Sequence, residues 1–252
     1  MNIPLDFAWL EATMMAAVRI TAFLMIAPPF SYGGIPTRVK AMLGVGLSLA
    51  VGSAVAPGYQ NLDTGAFIGS LVLQVVTGAL LGFLVLICFS AVQAAGNLID
   101  VFGGFQLAQA FDPQAMVNGA QFTRLFQMTA LALLFASGGY QLIIAGIVGS
   151  FRVIPVDGVF ALAAPAEMMV RAVGQMFLSA VQIAGPLVIV LFLADAGLGL
   201  ITRVAPALNA FAMGFPLKII ITLLLVTSVY LALPGVVNAL TGDASQLLRG
   251  VR

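Results

Sequence analysis

Asp195, Arg203 and Lys218 fall within one stretch, Asp195 to Lys218 (DAGLGLITRVAPALNAFAMGFPLK), set between two long uncharged runs. Asn209, three glycines, Pro206 and Pro216 accompany them. Each proline removes a backbone donor and disfavours helix at the residue before it. Carbonyls freed in this way need protein or water as partners, because lipid offers no donors. The chemistry this spacing supports is recognition: contact with other protein, or the lining of a wet cavity. Catalytic chemistry has no comparable concentration. The chain has no histidine, and no Gly-Lys pair from which a phosphate-cradling loop could be built. Its nine carboxylates are scattered, with no pair at the i, i+3 or i, i+4 spacing of a helical metal site. No nucleophile has a base partner legible in the sequence. The single cysteine, Cys88, excludes an internal disulfide and argues against a cysteine metal cluster; in its apolar run it reads as a packing residue. The expectation is no catalytic residue, no cofactor and no metal.

A second polar segment, Asp100 to Arg124 (DVFGGFQLAQAFDPQAMVNGAQFTR), lies near the middle. Gly103-Gly104 and Asp112-Pro113 break regular structure there. Phe102, Phe105, Phe111 and Met116 are bulky and apolar, while Gln106, Gln109, Gln114 and Asn118 carry amides. One reading is an ordinary loop with its apolar tips packed down. The other is a stopper in a pore, whose bulky groups exclude water while its amides satisfy the backbone of the segment.

The elements that must position these two segments are apolar. Hydrophobic residues make up 62% of the chain and charged residues 8%, against about 45–50% and 25% in ordinary soluble domains. Mean hydropathy is +1.13. Such a chain is an integral membrane protein or part of an apolar assembly. A net charge of +1 argues against nucleic-acid binding, which needs a basic stripe. The first twelve residues hold Asp6 and Glu11 but no basic residue, so the positive region of a cleavable signal peptide is missing and the N-terminus is expected to stay.

Hydropathy gives about six runs. Ala12–Phe30 is apolar apart from Arg19 and two threonines, and Pro28-Pro29 ends it. A charge so placed faces protein or water, or snorkels to an interface. Ala41–Pro57 is short and rich in small residues, which suits close helix packing. The 36 residues between Asp63 and Asp100 carry no charge. As one helix they reach about 54 Å, against a hydrocarbon core of about 30 Å. That helix either continues beyond the bilayer under protein cover, or it breaks. Gly78 and Gly82 within it have the spacing of a helix-contact motif, which chance also produces. Leu125–Ser150 is interrupted by Gly138-Gly139, which predicts two short helices or one kinked helix. Phe151–Arg171 reads as a mixed loop, and Ala172–Ala194 as a helix kinked at Gly185-Pro186. The last run, Ile219–Gly242, reads as apolar up to Pro234-Gly235 and then ends in a short polar tail with Arg249 and Arg252. The positive-inside rule does not orient six such spans: Arg38, Lys40, Arg124, Arg203 and Lys218 stand against Arg152, Arg171, Arg249 and Arg252. The eleven methionines, Met14-Met15 and Met168-Met169 among them, read as core fillers.

Four patches, in order, make the chain similar to a known family. Arg203-Val-Ala-Pro-Ala-Leu-Asn209-Ala-Phe211 with Gly214-Phe215-Pro216-Leu-Lys218 resembles the C-terminal signature of the FliR family of flagellar type III export-gate proteins. Injectisome counterparts have a similar core but usually lack the Gly-Phe-Pro. Ala27-Pro-Pro-Phe30 with Ile35-Pro36 and Arg38-Val39-Lys40 resembles the family's first region. Gly104 to Ala108 with Asp112-Pro113 resembles its central loop, with Gln106 where a small residue is common, and Ser150-Phe-Arg-Val-Ile-Pro155 its SFxxxP segment. The resemblance implies an all-α, membrane-associated fold. About six long, kinked helices or hairpins would pack in a helical multi-subunit gate, not in a conventional six-span bundle. It implies one subunit domain over 1–252, with halves 1–99 and 125–252 joined by a plug-like loop at 100–124.

It also implies function. The protein would be a non-enzymatic pore subunit of the flagellar export gate in the bacterial inner membrane, at the flagellar basal body. Its plug residues would be Phe105, Gln106, Gln109, Phe111, Asp112, Pro113, Met116 and Asn118. Its assembly face would be Arg203, Pro206, Asn209, Phe211, Gly214, Phe215, Pro216 and Lys218. The implied partners are companion gate subunits of the P and Q types, the B-type switch subunit, exported flagellar proteins and membrane lipid, with no nucleic acid. Two other classes fit some features: a small-solute secondary transporter, which also uses broken helices, and a scaffold with no pore role. Solute uptake by the protein alone would mark the first, and unchanged conductance after loss of the loop the second.

Overall fold

The uncharged run after Asp63 forms one unbroken helix. The computed structural model describes residues 7–106, 121–157, 163–205 and 210–250, the side chains at 163–166, 210–212 and 250 excepted. Among the described residues there are seven α-helices and no strand. They are α1 (Phe7–Ile26), α2 (Thr37–Val55), α3 (Thr64–Phe102), α4 (Gln121–Ala136), α5 (Gly139–Val153), α6 (Ala163–Val204) and α7 (Ala210–Gly250). Five are long and apolar enough to cross a membrane, and the bent pair α4–α5 makes up to six spans. This is the expected all-α, apolar architecture. With 39, 42 and 41 residues, α3, α6 and α7 each exceed the roughly 30 Å hydrocarbon core about twofold, at about 1.5 Å per residue.

The bend between α4 and α5 is 77°. It falls at Gly138, whose φ of +73° favours glycine. Pro216 and Pro234 are less decisive than expected. Pro186 lies inside α6, and Pro216 and Pro234 inside α7, with the residue before each still helical. Long helices in apolar surroundings tolerate such prolines because neighbours re-satisfy the freed groups. The mixed loop expected at Phe151–Arg171 is shorter than that: α5 runs to Val153 and α6 begins at Ala163. The expected polar tail after Pro234 is helical through Gly250. Val237, Leu240, Ala244 and Leu248 are buried there, a helical stripe among polar neighbours.

The chain divides into two compact units. The first takes residues 1–88, 134–173 and 239–252; the second takes 89–133 and 174–238. Each draws segments from both sides of the central segment. In the first unit Met15, Ile20 and Phe23 of α1, Leu81 and Leu84 of α3, and Ile143 and Ile147 of α5 are buried. Small residues let these helices meet. Gly44 and Gly52 of α2 lie against Thr21, and against Thr13 and Trp9, of α1. Gly78 and Gly82 of α3 lie against the α1 backbone at Arg19 and Phe23, so the glycine pair is a packing face. Arg19 is fully buried; it faces protein and does not snorkel. Glu11 holds the connection between α2 and α3 by accepting from the Tyr59 hydroxyl at 3.0 Å and the Leu62 N–H at 3.4 Å. Burial first, and then the Glu11 contact, push the Tyr59 phenol up to about 12 from its usual 10. Its stabilising contribution is complete below pH 10 and lost as pH rises through about 12.

In the second unit Val92, Ala95 and Ile99 of α3, Phe122 and Phe126 of α4, and Ala184, Leu187 and Leu191 of α6 are buried. Large apolar side chains remain exposed on the long helices, among them Phe177, Ile189, Phe192 and Leu193 of α6 and Leu223, Leu224 and Leu231 of α7.

Candidate functional site at the base of the central segment

The C-terminus of α3 ends in two glycines because the chain must turn there against another helix. The N–H of Gly103 still reaches the Ile99 carbonyl at 2.8 Å, and that of Gly104 reaches Val101 at 3.3 Å. Gly104 then adopts φ +82°, the left-handed conformation that closes many helices. A Cβ at Gly104 would lie 3.2 Å from the Phe215 ring, and one at Gly103 would lie 2.8 Å from Thr222 Oγ1. The Gly103-Gly104 turn is therefore packed onto α7 at the Gly-Phe-Pro patch. Two regions singled out separately in the sequence meet there.

Beyond the turn, Phe105 stacks edge-to-face on Phe122 of α4, with centroids 5.0 Å apart, and Phe122 meets Phe126 at 6.3 Å. Gln106 donates its Nε2 to Asn97 Oδ1 at 2.9 Å. On the other side of the segment, α4 begins under the control of Asp100. This residue is a buried part of α3, not a loop residue. Its Oδ1 accepts from the Phe122 N–H at 3.0 Å, and its Oδ2 from the Thr123 N–H at 2.8 Å and the Thr123 hydroxyl at 2.9 Å. The first N–H groups of a helix have no intrahelical partner and form its positive pole, so a carboxylate is well placed there. Close approach at this point also requires Gly96, where a Cβ would lie 2.7 Å from the Phe122 carbonyl oxygen and the Thr123 Cα. The described ends of the 107–120 segment, at Gln106 and Gln121, are thus fastened to one framework of α3, α4 and α7.

Gln109, Phe111, Asp112, Pro113, Met116 and Asn118 lie outside the described residues, as do Pro206 and Asn209. Phe211 falls in the first turn of α7, its side chain likewise outside the description. Gly214 faces Leu198 of α6, and Lys218 pairs with Asp195 at 2.7 Å, so the two helices are joined at two levels. Pro216 is exposed within α7. Arg203 is exposed in the last turn of α6, where a cation suits the negative pole of the helix. Sequence reasoning missed Asp100 as a cap and Phe215 as the seat of the Gly103-Gly104 turn. The one available signal for the first was an acid at the end of an apolar run of 36 uncharged residues. Among the described residues no group of three His, Cys, Asp or Glu side chains could hold a metal ion.

Comparison with known proteins agrees with the four-patch resemblance. The profile described as "Bacterial export proteins, family 1" matches residues 10–244. The flagellar biosynthetic protein FliR of Escherichia coli K12 is 30% identical over 216 residues, covering 84% of this chain and 81% of the relative. FliR of Bacillus subtilis 168 is 28% identical, covering 85% and 84%. The Yop proteins translocation protein T of Yersinia pestis is 28% identical, covering 82% and 81%. With a family match over residues 10–244 and a relative 30% identical over most of both chains, the chain belongs to the bacterial export proteins, family 1, as a member of its FliR group.

Proposed function

We propose that this chain is a membrane-embedded, non-enzymatic subunit of the flagellar type III protein export gate, and that it completes and plugs the gate's channel. The single observation that carries the membership is the family match along residues 10–244. The plug reading draws support from the base of the 107–120 segment. A stopper must be fastened at both ends to a rigid frame, and Asp100, Phe105, Gln106 and Phe215 supply such fastenings. Bulky residues such as Phe111 and Met116 would exclude water from the channel, and the amides of Gln109 and Asn118 would satisfy backbone groups that a dry pore leaves without partners. Gating would then require displacement of the segment, driven from outside this chain, before an exported flagellar protein passes.

The second half of the proposal concerns assembly. Helices about twice as long as the bilayer is thick, with exposed Phe and Leu along α6 and α7, need cover beyond lipid. Companion subunits of the P and Q types would supply it, with the B-type switch subunit alongside, in the bacterial inner membrane at the flagellar basal body. Arg203, exposed in this chain, would meet a partner's acceptor there, together with Pro206, Asn209, Phe211 and Pro216. Native mass spectrometry of the complex purified through a tag on this chain tests this. The expected mass contains companion subunits, and a stable lone chain would contradict it. Arg203→Ala should lower recovery of the companions by tenfold or more, since truncating one partner of a buried interfacial charge pair costs about 2–5 kcal/mol. Unchanged recovery would remove Arg203 from the interface. The likeness to the Yersinia translocation protein favours a second reading, an injectisome gate. Rescue of motility in a flagellar gate mutant separates the two.

A further inference from the structure

Arg19 is the one charge between Glu11 and Arg38, and none of its surface is exposed. Every partner it has among the described residues is neutral. Nε donates to Gln74 Oε1 at 2.6 Å, Nη1 to the Ile154 carbonyl at 2.8 Å and to Ser150 Oγ at 3.4 Å, and Nη2 to the Pro155 carbonyl at 3.4 Å. The guanidinium carbon Cζ lies over the Phe151 ring, 4.4 Å from the centroid. Gln74, itself buried, donates its Nε2 to the Val156 carbonyl at 2.9 Å. Ser150 donates its own hydroxyl proton to Ile147 at 2.7 Å, which leaves its lone pairs for Arg19. Three successive carbonyls, 154 to 156, are thus occupied by Arg19 or by the amide that Arg19 orients.

The arrangement has the shape of a slot. Oxygen acceptors line its edge in several directions, and an aromatic ring closes its face. A planar guanidinium fits both at once, because its donors fan out in one plane and its face stacks on a ring. An ammonium has three donors on a point and no face. The Ile154 carbonyl belongs to the C-cap of α5, at the negative pole of that helix, and the Pro155 carbonyl follows it in the turn. Their dipoles stabilise the charge where no carboxylate does. This gives the Ser150-Phe151…Pro155 patch a part that its sequence did not disclose: its serine, its ring and the carbonyl of its proline each touch Arg19.

We infer that Gln74 and residues 150–156 form an internal receptor for a guanidinium group, and that Arg19 is the ligand by which α1 is docked onto the turn after α5. The test uses the full-length protein purified in detergent. Arg19→Ala lowers the thermal midpoint and leaves an empty slot. Millimolar methylguanidinium then raises that midpoint saturably, as mass action requires of a ligand that binds only the folded state. Methylammonium at equal concentration does not, wild type responds to neither, and Arg19→Lys regains less than methylguanidinium restores. Equal effects of the two cations, or an Arg19→Lys variant as stable as wild type, overturn the inference. A second measurement keeps the arginine in place and does not depend on Arg19→Ala folding. An arginine-selective dicarbonyl, read by mass spectrometry, labels exposed Arg203 and spares Arg19 in wild type, and labels Arg19 severalfold more in Gln74→Ala. Labelling of Arg19 in wild type at the rate of Arg203, or no rise in Gln74→Ala, overturns it as well.

Discussion

Asp100→Ala lowers the stability of the folded protein by about 3 kcal/mol. The wild-type carboxylate is buried in α3 and accepts three hydrogen bonds of 2.8–3.0 Å from the start of α4. Alanine leaves the Phe122 and Thr123 N–H groups without that acceptor. Losing a helix N-cap costs about 0.5–2 kcal/mol, and each buried donor left unmade about 1–3 kcal/mol. No other acceptor can slide in cheaply, because Gly96 already brings the α3 backbone against the first turn of α4. Asp100→Asn keeps one acceptor oxygen and places an amide N–H₂ where a donor now points, so it is expected to be almost as harmful as alanine. A shift of about 3 kcal/mol in a chain of this size appears as about 6–12 °C in the thermal midpoint. A shift under about 2 °C for Asp100→Ala would show that α4 needs no cap from α3. In the assembled gate, the same variant should loosen the fastening of the central segment and raise the ion leak.

Gly78→Leu is the second large effect, also about 3 kcal/mol. A Cβ on Gly78 would overlap the Arg19 carbonyl oxygen and lie 3.0 Å from the Ala22 Cβ. The obstacle is backbone, so no side-chain rotation relieves it, and α1 must move away from α3. Gly82 repeats the contact one turn on, with a Cβ 2.9 Å from the Phe23 carbonyl oxygen and 3.1 Å from the Ile26 Cβ. Between helices in an apolar medium, such close packing is a main source of association. The displacement also draws Arg19 from Gln74, which sits one turn before Gly78 on α3. Gly46 on α2 is the control: a Cβ there meets nothing within 4 Å, so Gly46→Ala should gain up to about 1 kcal/mol from helix propensity. Unfolding of the purified protein measures both. A Gly78→Leu variant no less stable than wild type would mean that α1 does not cross α3 at that glycine.

Local and periodic features were legible in the sequence, and distant pairings were not. The all-helical class followed from long apolar runs, and the bend at Gly138 from a glycine pair in mid-run. Hydropathy alone ended the last helix too early. It averages over the residues after Pro234 and misses the one-sided stripe of Val237, Leu240, Ala244 and Leu248. Proline is a weaker helix breaker here than its local chemistry suggests, since Pro216 and Pro234 both lie within α7. Asp100 caps a helix that begins 21 residues later, at Gln121. The oxygens that surround Arg19 lie 55 to 136 residues away. A capping signature is read over three or four residues, so neither arrangement leaves a local trace. The contact of Gly104 with Phe215 is of the same kind: both residues were picked out by family resemblance, and their meeting required the fold.

Electrical recording shows whether residues 107–120 stop a channel that this chain helps to build. The complete gate, purified with its companion subunits and reconstituted in a planar bilayer, is compared with one in which 107–120 is replaced by a short glycine-serine linker of matched span. Native mass spectrometry first confirms that both contain the same subunits. A tight wild-type complex and a steady ion current through the variant are expected. An equally tight variant, correctly assembled, would contradict it.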